Sequence, residues 1–207
     1  MGDILKNGRR YDARTFNRLE RPGITLESAM FYDCAIKGSK FTGTLFRGCR
    51  WVNVRFYQCD LSLARVPGSS FSGCLFEECK MTGVDWTEAD WVTPLLSEPI
   101  SFIGTDLSHS TFLGITMPES GFLRCRARDV DFREADFRRS RFTDTDLSES
   151  LFGSTNLSEA DFIGARDYHI NPMDNTLTGA KFALPEALEL LYALDIRIVD
   201  TGPFQGP

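Results

Sequence analysis

The sequence predicts an all-β protein, a right-handed parallel β-solenoid closed at its C-terminal end by a helix. Two superimposed periodicities carry that expectation. An apolar residue recurs every five positions over most of the chain, and a small residue recurs two positions upstream of it. A helix repeats at 3.6 residues and a strand at two, so neither element alone produces this spacing. A coil whose side is one five-residue unit does: one large and one small residue point inward, and three polar positions face out.

The large series begins Leu26, Phe31, Ile36, Phe41 and continues without a polar interruption to Trp86 and Trp91. It slips by one residue and resumes from Phe102 to Phe162. With Phe16 and Phe182, sixteen of the seventeen phenylalanines occupy this one position. Between Cys34 and Ala160 the small series holds only Cys, Ser, Thr, Val, Ala and Ile. Backbone groups then pair between successive coils as short parallel strands, and parallel crossovers are overwhelmingly right-handed.

All six cysteines, Cys34, Cys49, Cys59, Cys74, Cys79 and Cys125, lie on the small series. They read as small buried side chains and not as a zinc or disulfide framework. No CxxC pair occurs, and only His109 and His169 offer imidazole. No metal and no other cofactor is expected. The N-terminal "MGDILKNGRRYDARTF" lacks a leader's apolar core, and no run approaches the roughly 18 apolar residues of a membrane span. A cytoplasmic protein without membrane contact is therefore expected. The net charge of −6 speaks against a general nucleic-acid binder, and no direct nucleic-acid contact is expected.

The units "ADFRR", "TDLSE", "TNLSE" and "ADFIG" resemble the pentapeptide-repeat family, whose motif is A(D/N)LXX with a central Leu or Phe. The resemblance runs from about residue 26 to 182 and implies a quadrilateral β-helix with four units, twenty residues, per coil. About eight coils at ~4.8 Å give a rod on the order of 40 Å long. Residues 59–86 and the segments "YHINP" and "AKFALPEAL" are similar to the gyrase-protecting branch, which includes the Qnr quinolone-resistance group and the microcin B and albicidin immunity proteins. That resemblance implies DNA gyrase, a type II topoisomerase, as partner, with topoisomerase IV as a further target. It also implies a homodimer formed tail to tail through the C-terminus. The two long loops of the Qnr group are missing here.

Residues 1–25 are expected to cap the N-terminal end and 26–182 to form the solenoid. Within it, "VTPLLSEPIS" at 92–101 makes the step from Trp91 to Phe102 eleven residues where two units use ten. It reads either as a bulge or as a recognition loop carrying Pro94, Leu95, Leu96 and Pro99. A distorted coil is expected at 163–177, where Asp167 and Pro172 take central positions. Tyr168 and His169 have a structural role there. Residues 183–207 change character: Pro185 suits a first helical turn, Ala187, Leu188, Leu191, Leu194 and Ile198 recur at helical spacing, and residues 196–199 read as a short strand. Leu188, Leu190, Leu191, Tyr192, Ile196 and Ile198 are the expected dimerisation residues.

With the interior committed to packing, function falls to the outward positions. Residues 1–50 hold ten Lys and Arg against five Asp and Glu, whereas 51–207 hold thirteen against twenty-four. Folded on a period of twenty, Asp106, Asp129, Asp146 and Glu149, with Asp167 one coil on, form the expected gyrase-binding acidic face. Glu119, Asp136 and Glu159 form a second stripe. Net −11 over about 30 Å of rod is roughly one charge per 3 Å, against one per ~1.7 Å in duplex DNA, so mimicry of DNA is partial. The expected function is non-enzymatic: a binding protein that protects gyrase from a topoisomerase-poisoning antibiotic. The alternative is a scaffold or adaptor for an unrelated protein. No catalytic triad spacing, phosphate loop or paired-carboxylate pocket occurs.

Overall fold

The large residues stack because each five-residue unit forms a short extended segment whose middle side chain faces in and whose neighbours face out. In the computed structural model, which describes residues 5–91, 98–197 and 199, this appears as three-residue strands with an exposed–buried–exposed pattern, as in Arg10–Asp12 and Thr15–Asn17. The strands pair in parallel, each with its equivalent one coil on. Arg10–Asp12, Met30–Tyr32, Arg50–Val52 and Ser70–Ser72 form the first face. The second runs from Thr15–Asn17 through Ala35–Lys37, Arg55–Tyr57, Leu75–Glu77 and Ser101–Ile103 to Gly121–Leu123. Single parallel bridges starting at Glu20↔Lys40 define the third face. The fourth begins with Thr25–Glu27 on Leu45–Arg47. The fold is a four-sided parallel β-solenoid.

Inside, the central side chains of each face stack in a column, aromatic on every face but the third, where Leu and Met predominate. On the second face Phe56, Phe76, Phe102, Phe122, Phe142, Phe162 and Phe182 lie nearly parallel, with successive centroids 4.7 to 5.3 Å apart. Neighbouring columns meet edge to face, as Phe122 does with Phe132 at 5.8 Å and 87°. Both geometries suit the aromatic quadrupole and add about 0.5–1.5 kcal/mol per pair beyond burial.

The small series does more than fit. Its hydroxyls and thiols donate to the carbonyl of a central residue in the preceding coil. Thr145 Oγ1 reaches Phe122 O at 2.7 Å, Ser150 Oγ reaches Ala127 O at 2.6 Å, and Cys125 Sγ reaches Phe102 O at 3.3 Å. The same oxygens accept a backbone N–H, as Ser150 Oγ does from Val130 at 3.1 Å. Cys, Ser and Thr thus share one task, satisfying buried backbone groups.

The corners are mostly residues with left-handed backbone, among them Glu119 (φ 61°), Asp129 (52°), Glu134 (60°) and Glu159 (59°). That conformation is uncommon outside glycine. Here it turns the N–H along the rod to bond the next coil, as from Asp129 to Ser148 O at 2.9 Å and from Glu134 to Gly153 O at 2.8 Å. At Gly164, also left-handed, an added Cβ would meet Asp144 Oδ1 at 2.1 Å, so a larger residue there would require the Asp144 carboxylate to move.

Three boundaries differ from the sequence reading. The solenoid starts well before residue 26, since Tyr11 and Phe16 already sit in the first two columns. Arg21 at a central position hid that first coil. Across the slip the register is 26 residues, Leu75↔Ser101 and Lys80↔Asp106, so the coil carries six extra residues and not one. Counting phase at a period of five cannot see a whole added unit. In the distorted coil, Leu151 pairs with His169, 18 residues on, before Asn156↔Thr176 restores twenty. Tyr168 fills the gap, fully buried against Phe162 and Phe182. At the C-terminus a 3-10 turn, Glu186–Leu188, leads into an α-helical turn, Glu189–Tyr192, and the described residues of 196–199 form no strand.

The middle of the ring column is the test of this packing. Phe122→Ala removes a ring that touches Phe102, Phe112, Phe132, Phe137 and Phe142. It is expected to cost about 3–5 kcal/mol in equilibrium chemical denaturation; a loss below 1 kcal/mol would show that the stack is not what holds the coil.

Candidate partner-binding surface

The third face carries the expected acidic set, and its sequence organises it differently. The outward residue just before each central position reads Glu20, Lys40, Asp60, Lys80, Asp106, Arg126, Asp146, Arg166, joined in register by consecutive parallel bridges. Charge alternates at every step. Lys40 lies 3.2 Å from Glu20, Arg126 3.7 Å from Asp106, and Arg166 3.2 Å from Asp146. Opposite charges directly across adjacent strands stabilise a sheet by roughly 0.2–1 kcal/mol each. Such a ladder is close to neutral and is not a decoy for DNA.

Asp146 corrects the sequence reading most clearly. Only 1% exposed, it is bound by Arg128 at 2.6 Å, Arg166 at 3.2 Å and Ser148 Oγ at 2.5 Å. It cannot be a contact residue. Burial alone would raise its pKa, but hydrogen bonds from Arg128 and Ser148 outweigh it and hold the carboxyl well below the usual carboxylate range. Asp106 is likewise engaged, accepting from Ser108 Oγ at 2.7 Å and Ser108 N at 3.1 Å. Asp136 accepts from Arg138 N at 3.1 Å and pairs with its guanidinium at 3.2 Å. The physical reason is local. An Asp or Asn before the central residue caps the N–H two positions on, an Asx turn, as Asp60, Asn156 and Asp161 also do. The D/N of the repeat motif is a turn residue.

Acids at the left-handed corners, two positions after the central residue, have no such task. Of the predicted residues, Glu119 pairs with Arg139 at 3.2 Å and Asp129 lies 2.9 Å from His109 Nδ1. Asp167 sits 3.9 Å from Arg166 and 3.4 Å from Ser148 Oγ. Glu149 and Glu159 are exposed and make no ion pair among the described residues. Glu134 and Asp144 share that exposed, unpaired state at equivalent corners and were missed by the face-by-face reading. Their signal was in the sequence: offset within the five-residue unit, not position within the coil. Glu134, Asp144, Glu149 and Glu159 fall on the four different edges within adjacent coils, so they form a girdle around the rod.

Pro94, Leu95 and Leu96 lie outside the described residues. Pro99 is exposed just past the insertion, whose ends are fixed on the first face by Trp91 stacked on Phe71 and by Glu98 N on Ser72 Oγ at 3.0 Å. Among the expected dimerisation residues, Leu190 instead packs on the solenoid's own core, while Leu191, Tyr192 and Ile196 are 40%, 51% and 46% exposed. The initial 3-10 turn, with three residues per turn, shifts the apolar stripe from Leu191 to Leu190. Leu188 is half-buried, and Ile198 lies outside the described residues.

Chemistry of other kinds finds little purchase. The cysteines are buried, and burial pushes the thiols of Cys74 and Cys125 up to about 12 and that of Cys49 to about 11. Among the described residues no three His, Cys, Asp or Glu are grouped to hold a metal, and no helix is long and apolar enough to cross a membrane.

Asp146→Asn is expected to cost about 2–3 kcal/mol at pH 7. A depressed carboxyl contributes stability above its unfolded pKa of about 3.9 and loses it as pH falls toward the folded value. The wild type should therefore lose its advantage over Asp146→Asn between about pH 4 and pH 2. Denaturation midpoints across that range decide it; a pH-independent difference would show that Asp146 contributes by shape alone.

A family model for the "Pentapeptide repeat region" matches residues 85–162, and one for "Pentapeptide repeats (8 copies)" matches 39–77, together more than half the chain. No curated protein matches the sequence. Two solved structures of trypsin-treated variants of QnrB1, a plasmid-mediated fluoroquinolone resistance protein, share the fold. One is 18% identical with a TM-score of 0.65, covering 90% of this chain and 100% of its own. The other is 20% identical with a TM-score of 0.55, covering 96% of each. By repeat, register and family match alike, the chain belongs to the pentapeptide-repeat family.

Proposed function

We propose that this protein is a non-enzymatic guard of a type II topoisomerase, DNA gyrase first and topoisomerase IV second, against an antibiotic that traps the cleaved-DNA complex. The observation that carries the reading is the girdle of Glu134, Asp144, Glu149 and Glu159, unpaired carboxylates on all four edges of a rod. Likeness of fold to a fluoroquinolone resistance protein supports it. A basic groove built for duplex DNA meets acids on ridges, as it does with phosphates, while the interior of the rod stays rigid. Steering by the acidic C-terminal half raises the encounter rate. The protein acts in the cytoplasm as a homodimer, with Leu191, Tyr192 and Ile196 meeting a second copy.

The neutral charge ladder of the third face favours a second reading, a scaffold for an unrelated protein, since a flat paired face suits shape-based docking better than mimicry.

Supercoiling by gyrase in the presence of a fluoroquinolone and, separately, of an albicidin-type poison separates the two. The guard restores supercoiling at modest excess with at least one drug. Replacing Glu134, Asp144, Glu149 and Glu159 by Lys abolishes rescue without changing the unfolding free energy by more than about 1 kcal/mol, as befits exposed sites. No rescue by the wild type sinks the topoisomerase reading, and full rescue by the reversed protein sinks the girdle.

A further inference from the structure

The other end of the rod carries the opposite charge, most of it on two faces. In the first three coils, the third and fourth faces pair Lys40 with Glu20 at 3.2 Å and Arg47 with Glu27 at 3.5 Å. The first and second faces carry more. Arg9, Arg10, Arg18, Lys37 and Arg50 are all exposed there. Against them stand Asp12, which binds Arg10 at 2.7 Å, and Asp33, which accepts from Asn53 Nδ2 at 3.1 Å. Arg18, Lys37 and Arg50 make no ion pair among the described residues. Two guanidinium groups are also held over aromatic rings, Arg10 at 4.3 Å from the centroid of Tyr32 and Arg9 at 5.4 Å from that of Tyr11. That contact keeps the charge against the surface and lowers the entropy lost on binding.

We infer that these two faces form a docking surface for the phosphate backbone of duplex DNA. The cations lie on a rigid lattice with a ~4.8 Å step along the rod, suited to meeting a line of phosphates without reading bases. A single strand fits less well, because its binders stack bases on open aromatic rings. Here Tyr11 is buried and Tyr32 is covered by Arg10. The chain-wide charge of −6, which pointed away from nucleic acid, averages over two ends of opposite sign. The inference stands independently of the topoisomerase reading, and its test uses no enzyme.

The test is fluorescence anisotropy of the full chain with a labelled 30-base-pair duplex of arbitrary sequence, at 50 and 200 mM KCl. For about four phosphate contacts, affinity should fall roughly 100-fold between the two salts. The triple variant Arg18→Glu, Lys37→Glu, Arg50→Glu should bind at least 10-fold more weakly at 50 mM, with unchanged circular dichroism. The triple variant Arg138→Glu, Arg139→Glu, Arg141→Glu, exposed sites at the acidic end, changes the net charge equally and should bind like wild type. Binding absent at 50 mM, binding unaffected by the triple variant, tighter binding to the matching single strand, or retention on anionic vesicles but not on duplex would each overturn the proposal.

Discussion

The whole molecule depends on one constraint: each residue must stack on its equivalent in the next coil, because a buried backbone has no water to bond. The corner N–H groups, the strand bridges and the hydroxyls and thiols of the small series all bond along the rod axis. The rings follow, since equal register places them about one strand spacing apart, the distance at which offset stacking is favourable. Inserted residues can be accommodated only outside this lattice. The six-residue insertion leaves after Trp91 and the register resumes unchanged at Ser101.

The same constraint divides the surface into residues that serve the coil and residues that do not. An acid before the central residue caps its own turn or pairs across the coil, so its charge is used internally. An acid at a corner projects from an edge with its N–H already bonded and its carboxylate not required by the turn. Asp146 and Glu149 are three residues apart in sequence, and one is buried between two arginines while the other is open to solvent. Charge counts by face merge the two. Counts by position within the five-residue unit separate them.

That distinction also marks what was legible beforehand. The period, the parallel stacking and the structural role of the cysteines followed from spacing, because the core obeys a strict repeat, and the family followed from the resemblance of units such as "ADFRR" and "TDLSE" to its motif. The first coil was hidden by Arg21, where one polar residue broke an otherwise regular series. The size of the insertion was hidden by arithmetic: six residues and one residue leave the same phase. The helix stripe was misplaced by one position because the 3-10 turn before it has no sequence mark distinct from an α-helical start. The acidic face was misread since pairing depends on the neighbour twenty residues away, which only the coil length brings alongside.

The alternating ladder on the third face also bears on how such a rod can change its length. Solenoids lengthen by duplicating whole coils, which preserves the core because every level is equivalent. Here, copying one twenty-residue coil would set Arg126 beside a second arginine, or Asp106 beside a second aspartate, and like charges in register repel. Copying two coils restores the alternation. The ladder imposes parity on growth: this face tolerates added coils in pairs, although the apolar core beneath it would accept them singly.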